Sequence, residues 1–427
     1  MAPLSSSLSL SLFPLAVSRT PLRSDHHYRR RLQLYCCLAV DGDSDLGRIK
    51  HAPPNPRIAL AGGGTGGHIY PAIAIADEIR NAAPGAELLF LGSESGMEAS
   101  AVPAAGYTFS PVPRIRLYRP VLLSPANLLL PFFLLRSIAV SFAILRRFRP
   151  DVVVGTGGYV AFPVCAAAFI AGIKIVIQEQ NSFPGLTNRS LAPFAEKIFL
   201  AFNGCVKYFP KPKCLVYGNP IRLSLRRYTS KAVARSHFFP KIGDKAHIVL
   251  VLGGTVGASA INIAVLNMYY EMLLEHKDRY VIWQTGADGY PEMESLVKNN
   301  RRLLLTPFLD AMDMAYAAAD VVVTRAGAMT CTEILTTGKP SVLIPQPDSA
   351  DDHQTKNAYI MADIAGSRVL TEDELDSSSL VAAIDEILGD ESLMAEMSEK
   401  ALRAARPNAA ADIAQCIISL ITLSSSK

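Results

Sequence analysis

At about 150 residues per domain, 427 residues suggest two or three domains, and a half-hydrophobic composition supplies sizeable cores. A formal net charge of +4 is small for this length and does not suggest a nucleic-acid binder, which needs a concentrated basic face, though it leaves room for a local basic patch. None of the seven cysteines sits in a C-x-x-C spacing with histidines nearby, which argues against a zinc site or a disulfide framework.

The first 40 residues open with Ser5, Ser6, Ser7, Ser9 and Ser11 between leucines, followed by Arg19, Arg23, Arg29, Arg30 and Arg31, and Asp25 is the one acid before Asp41. Ser-rich, Arg-rich and acid-poor is the composition of an organelle transit peptide, and it suggests a plastid (chloroplast) destination. A secretory apolar core over 8–17 and a plain disordered tail are the alternatives. Residues 41–56 read as a linker, so that 1–50 form an address and its linker and folded structure begins near Arg57.

An apolar run at 58–61, a glycine cluster at 62–67 and a helical pattern at 70–82 read as strand, turn and helix, with Pro71 placed in the helix's first turn. Further apolar runs follow at 88–91, 152–154, 174–177 and 198–201. The strand–glycine–helix pattern then returns with a strand at 247–252, glycines at 253–257 and a helix at 261–274. Runs at 280–283, 319–324 and 341–344 continue the alternation, and a last helix at 409–423 closes the chain. Such alternation predicts an α/β fold of parallel sheets covered by helices, and two starts predict two such domains facing across a cleft. The boundary falls near Asn219. The domains are then 57–219, with the last helix packing back on it, and 220–406. The stretch 114–149 is the most apolar and is flanked by arginines, which reads as a membrane-surface element, as a spanning segment interrupted by Arg136, or as one buried helix.

Glycine at a strand-to-helix turn lets a phosphate approach the backbone and the helix N-terminus. Gly62, Gly64 and Gly67 formally satisfy G-x-G-x-x-G, so a dehydrogenase with Glu94 on the ribose competes at this point. That reading leaves unused the second glycine turn and the strand–loop–helix segment 320–334, where Ala326, Gly327 and Ala328 admit a diphosphate. Glu333, one turn into that helix, is either a solvated acid on the helix dipole or a bidentate partner for ribose hydroxyls.

Six motifs carry a resemblance: GGGTGGHIYPA at 62–72, GTGGYVAFP at 155–163, QEQNSFPGLTNR at 178–189, YGNPIR at 217–222, TRAGAMTCTEI at 324–334 and DDHQTKNA at 351–358. With them the chain, from Arg57 to its C-terminus, resembles the MurG family of bacterial peptidoglycan transferases in glycosyltransferase family 28. The resemblance implies a GT-B fold, two Rossmann-like domains with the active site between them. It also implies inverting transfer of N-acetylglucosamine from UDP-N-acetylglucosamine to O4 of the lipid-linked muramyl sugar of lipid I, with no cofactor and no tightly bound metal. Carried over residue by residue, Arg325, Ala328, Met329, Thr330 and Glu333 match the nucleotide loop, Phe308 and Leu309 the uracil segment, and His353, Gln354 and Asn357 the donor sugar and diphosphate positions. Thr255 with its loop and Arg222 join the donor side. Gly64, Thr65, Gly66 and Gly67 would meet the acceptor diphosphate, and Tyr159, Asn181 and Asn188 its sugars.

Transfer requires a base, and two residues compete. His68 stands at a helix N-terminus, which disfavours its protonation, and its other role is to cap the loop or bind phosphate. Glu179 follows a buried strand, and its other role is to anchor the loop. The departing UDP would be stabilised by Arg222, Arg325 and the helix beginning near Thr330. The chain departs from the family at Thr255 and Val256, where Ser and often Gln stand, and at Gln178, often His. A different lipid acceptor such as diacylglycerol, and a weakly active scaffold, are the alternative functions. The resemblance also implies a protein peripheral to a membrane.

Overall fold

The structure, a computed structural model, describes residues 55–115, 125–349 and 352–424. The expected transit segment and linker at 1–50, part of the apolar stretch (116–124) and Asp351 lie outside the described residues. Seven strands form the first sheet: β1 (Arg57–Ala61), β2 (Glu87–Ser93), β3 (Thr108–Val112), β4 (Val152–Gly155), β5 (Lys174–Glu179), β6 (Lys197–Leu200) and β7 (Cys214–Val216). They are all parallel, in the order β3-β2-β1-β4-β5-β6-β7. Six more form the second: β8 (His247–Leu252), β9 (Arg279–Gln284), β10 (Leu303–Thr306), β11 (Val321–Thr324), β12 (Ser341–Leu343) and β13 (Arg368–Val369), in the order β10-β9-β8-β11-β12-β13. Read outward from β1 and from β8, both sheets have the doubly wound order, which matches the expected GT-B architecture.

Central strands read as continuous apolar runs because helices cover both faces. Ile58 and Leu60 point to one core, Ala59 and Ala61 to the other, and all four are fully buried. The four strands that the apolar runs did not announce, β3, β7, β10 and β13, are the four sheet edges. They are short and only partly covered, and Pro111 in β3 is tolerated at an edge that needs no second ladder bond.

The first helix corrects the sequence reading. It runs Gly66–Ala82, with the Thr65 carbonyl accepting from His68 N (3.1 Å) and Ile69 N (3.3 Å). The glycine loop therefore winds directly into helix, Pro71 lies inside it rather than in its first turn, and His68 occupies the first turn. The last helix, Ala409–Ser424, returns to the first sheet, where Ile413, Ile417 and Ile421 enter the core beside Ile58, Ile75 and Ile79.

Helix Leu130–Phe148 is not the buried helix of the plainest reading. It packs with Ser137, Ser141 and Leu145 inward, while Leu128, Leu129, Phe132 and Leu135 are 60–81 % exposed. From Asn127 to Phe148 it is long and apolar enough to cross a membrane, with a mean hydropathy of 2.2.

Since the last helix supplies core to the first sheet, Ile417→Ala is expected to destabilise the fold by about 2–5 kcal/mol. The expected readout is a clear drop in thermal midpoint; an unchanged midpoint would show that this helix is dispensable to the core.

Candidate functional site

In each sheet the direction of crossover reverses beside the central strand, between β1 and β4 and between β8 and β11, and ligands bind beyond the strand ends at such points. Both reversals open on one cleft of about 700 Å³. Gly64, Thr65, Gly66, Gly67 and Tyr70 line it from the first half, and Arg222, Thr255, Phe308, Leu309, Arg325, Met329, Thr330, Glu333 and Gln354 from the second.

On the first side, Gly64 has a positive φ of 87°, and a Cβ there would strike the Tyr159 ring at 2.7 Å. Tyr159 thus supports the loop from below. So does Glu98, which the motifs did not single out. Fully buried, it accepts from Gly64 N (3.1 Å) and Ser93 N (2.9 Å). Glu94, the ribose acid of the nicotinamide reading, is exposed and does not line the cleft, so that reading loses its key residue.

His68 is half-buried against the loop after β4 and, unlike Gly67 and Tyr70 near it, is not among the residues that line the cleft. A Cβ on Gly158, whose φ is 78°, would meet the His68 ring at 3.2 Å. Nδ1 of His68 lies 3.0 Å from the Thr156 carbonyl and 3.3 Å from Gln180 Oε1. Gln180 Nε2 is 2.6 Å from the same Thr156 carbonyl, which can only accept, so the Gln180 oxygen is the atom facing the imidazole. With two acceptors on it, Nδ1 carries the proton and Nε2 keeps its lone pair while the ring is neutral. Burial pushes the His68 pKa below the ordinary histidine value, opposed by the Glu179 charge and by the bonds to Thr156 and Gln180.

Glu179 takes the other of its two readings. Its carboxylate accepts from Asn181 N (3.0 Å) and Nδ2 (3.3 Å) on one oxygen and from Gly185 N (3.1 Å) and Asn188 Nδ2 (2.9 Å) on the other. At 1 % exposure it anchors the 180–186 loop and presents no free oxygen to the cleft. Asn181 and Asn188 point their amides at Glu179 rather than into the cleft. Asn188 is itself buried and leaves its Oδ1 without a hydrogen-bond partner.

On the second side, helix Ala328–Thr337 starts at the cleft, and its first amides have no carbonyl within the helix to bond. Glu333 is not the solvated acid of the plain reading: it is 8 % exposed, with Arg222 Nη2 3.4 Å from one oxygen and the Tyr316 hydroxyl 3.0 Å from the other. Burial raises its pKa, offset by Arg222 and then by Tyr316. Tyr316, buried in the second core, gave no sequence signal. Arg222 also stacks over the Tyr70 ring at 4.8 Å and keeps Nε unpartnered.

Arg325 lines the cleft, paired with Glu372, which lines it too, and donates to the carbonyls of Ile344 (3.3 Å) and Pro345 (3.4 Å). Asn357 is a correction. It is fully buried, donating to the Ala326 carbonyl (3.2 Å) and accepting from Ser182 Oγ (2.8 Å), a tie between the halves rather than a free sugar contact. His353 begins helix His353–Ala365 and acts electrostatically on His68, Gln354 accepts from Gln346 N (3.2 Å), and Ala328 is buried at the donor helix's first position. Thr255 and Val256 are exposed on the second glycine loop, whose carbonyls accept from Ala287 N and Asp288 N.

The N-terminal domain of glycosyltransferase family 28 matches residues 58–200, and the C-terminal domain of the same family matches 248–415. A Salinibacter ruber protein named UDP-N-acetylglucosamine–N-acetylmuramyl-(pentapeptide) pyrophosphoryl-undecaprenol N-acetylglucosamine transferase is 43 % identical over 365 residues, covering 86 % of this chain and 97 % of its own. A Flavobacterium psychrophilum protein of the same name is 39 % identical, at 86 % and 98 % coverage. The chain belongs to glycosyltransferase family 28. Among solved structures, the crystal structure of Acinetobacter baumannii MurG aligns with a TM-score of 0.64 and 28 % identity, over 86 % of this chain and 99 % of that one. The Neisseria meningitidis UDP-GlcNAc 2-epimerase, at 12 % identity and a TM-score of 0.60 (86 % and 100 % coverage), shares the fold. Placed in family 28, the cleft pairs two backbone-lined anion loops, one from each half.

The Glu333 carboxylate must be ionised to accept from two ribose hydroxyls. Its pKa is raised, so UDP affinity is expected to fall on acidification at a higher pH than an ordinary carboxylate would give. Calorimetric titration checks this: Glu333→Gln should bind UDP more weakly at neutral pH and lose that acid dependence, and a wild-type affinity indifferent to pH would remove Glu333 from the ribose.

Proposed function

We propose that the protein is an inverting hexosyltransferase that moves N-acetylglucosamine from UDP-N-acetylglucosamine onto the muramyl sugar of lipid I, a lipid-linked pyrophosphate. The observation that carries this is the meeting of both glycine loops and the donor helix N-terminus in one cleft, in a chain 43 % identical to a transferase of that name. Two diphosphates need two anion sites, and the cleft offers one per half.

The chain's residues divide the work. Helix Ala328–Thr337 offers its free amides and positive dipole end to the donor diphosphate, where negative charge grows as UDP departs. Arg222, paired with Glu333 but with Nε unpartnered, and Arg325, paired with Glu372, are cations lining the cleft beside it. Glu333 accepts from the ribose, and the backbone near Phe308 and Leu309 meets the base. Opposite, the 62–67 loop holds the acceptor diphosphate. His68 Nε2 takes the proton from the attacking hydroxyl, and its lowered pKa keeps it neutral and ready near neutral pH. Holding both reactants in line supplies much of the remaining barrier reduction.

The exposed face of helix Leu130–Phe148 supports a peripheral membrane location. Leucines and phenylalanines point outward, Arg146 and Arg147 sit in the last turn, and the serine face is packed on the fold, so the helix lies along the protein rather than leaving it to span a bilayer. The Ser- and Arg-rich first 40 residues support delivery to a plastid.

With a lipid I analogue and labelled UDP-N-acetylglucosamine, His68→Asn is expected to lose at least about 100-fold in kcat while UDP affinity stays near wild type. Full activity in that variant would end the assignment of the base, and product only from UDP-galactose with diacylglycerol would move the function to the other acceptor. Separately, sedimentation with vesicles containing anionic lipid should pull down the wild type and leave Phe132→Glu/Leu135→Glu in solution. Equal binding of both proteins would place the membrane contact elsewhere.

A further inference from the structure

A line of polar side chains runs from His68 through the interior to the donor helix, and the reaction as described leaves it idle. His68 Nδ1 donates to Gln180 Oε1 at 3.3 Å, and Gln180 Nε2 donates to Gln178 Oε1. Gln178 Nε2 donates to Asn219 Oδ1 at 3.0 Å, Asn219 Nδ2 donates to Thr332 Oγ1 at 3.1 Å, and Thr332 Oγ1 donates to the Ala328 carbonyl at 2.8 Å. Gln178 and Gln180 extend β5 in the first half, Asn219 lies in the connection between the sheets, and Thr332 stands beside Glu333 in the second half. All four relay residues are buried.

The direction of this line is imposed at both ends. The Thr156 and Ala328 carbonyls can only accept, which sets the amide of Gln180 and the hydroxyl of Thr332. Turning any one amide over would set two NH₂ groups or two carbonyls face to face in a site closed to water, leaving buried groups unsatisfied. Each bond therefore specifies the next, from the first residue of the donor helix to the protonated nitrogen of the imidazole.

We propose that Gln178, Gln180, Asn219 and Thr332 form a positioning relay that couples the state of the donor helix to the orientation of the His68 ring, whose tautomer the Thr156 carbonyl already sets. The proposal rests on the reading of His68 as the base. A nucleotide diphosphate at the helix N-terminus draws on the backbone around Ala328. The relay transmits that change to Nδ1, so that Nε2 is held for the acceptor hydroxyl when the donor is in place. Glu179 and His353 are the titratable groups acting on the same imidazole. Both stay unaltered in the variants below, so a change in His68 there reports on the relay.

The test follows the His68 imidazole by NMR in the full chain, its signal identified by its loss in His68→Asn, with UDP as the probe. In the wild type the resonance should move on adding UDP. In Thr332→Val, a change that conserves volume, and in Gln178→Leu, the movement should shrink at least about threefold while UDP affinity stays within about twofold. Gln180→Leu should lower kcat about tenfold with KM for UDP-N-acetylglucosamine unchanged. It should also move the acid limb of the rate profile to lower pH, because donation from Nδ1 to Gln180 favours the imidazolium. A merely structural role would leave that limb in place. A His68 resonance that ignores UDP in the wild type, or responds equally in Thr332→Val, overturns the relay. Full activity in His68→Asn would instead overturn the base and leave the NMR coupling standing, so the two failures are distinct. Should Gln178→Leu fail to fold, Thr332→Val alone decides.

Discussion

Two parallel sheets whose crossovers reverse beside β1 and β8 leave the C-terminal ends of those strands uncovered, and everything else in the site is arranged around these two openings. Backbone amides left over at such an opening attract anions without any side-chain charge. The first opening becomes the 62–67 loop only because glycine permits the φ of Gly64 and the close approach of Tyr159. The second presents the start of helix Ala328–Thr337 next to the 253–257 loop. Because both openings face one cleft, the same backbone device is offered twice, as the proposed transfer between two diphosphates requires, and the rest turns on a few side chains.

Those side chains are fewer than the motifs suggest, for a reason that lies in the cost of buried charge. An ionised group away from water must be saturated with partners. Glu98 is held by two backbone amides, Glu179 by four donors, and Arg325 by Glu372 and two carbonyls. Each is thereby held in place: Glu98 sets the 62–67 loop, Glu179 sets the loop after β5, and Arg325, while lining the cleft, braces the 344–345 turn. Arg222 and Glu333 line the cleft and keep an unfilled atom or a replaceable partner, and His68 stands just past the 62–67 loop, so these are the groups left for the proposed chemistry.

The central strands and the fold class were legible in the sequence because burial on both faces writes a continuous apolar run. The edges β3, β7, β10 and β13 were not, since a half-covered strand needs no such run. The loop residues were legible as motifs, but a motif records that a residue matters and not which way it points. Glu179 and Asn357 sit in the expected segments, yet their atoms bond inward, to loop amides and across the halves. Glu98 and Tyr316 left no trace because each acts through a partner more than 15 residues away in sequence. The outward apolar face of helix Leu130–Phe148 was legible only as one of three readings of an apolar, arginine-flanked stretch. Composition reports how apolar a helix is, whereas only the fold decides that its serines, not its leucines, pack inward.

The departure at Gln178 takes on meaning in this light. A histidine there, as the resemblance would often have it, can relay a hydrogen bond, but its two nitrogens exchange roles and it titrates near neutral pH. An amide has one end that only donates and one that only accepts, at every pH of interest. With Gln180 on one side and Asn219 on the other, Gln178 completes a line made of amides alone between His68 and Thr332. Such a line cannot be inverted by a proton arriving midway, and it agrees with the Thr156 carbonyl, which accepts from His68 Nδ1 directly and fixes the hydrogen there. The one group in the series free to titrate is then the imidazole itself, which confines pH sensitivity along the line to the residue proposed as the base.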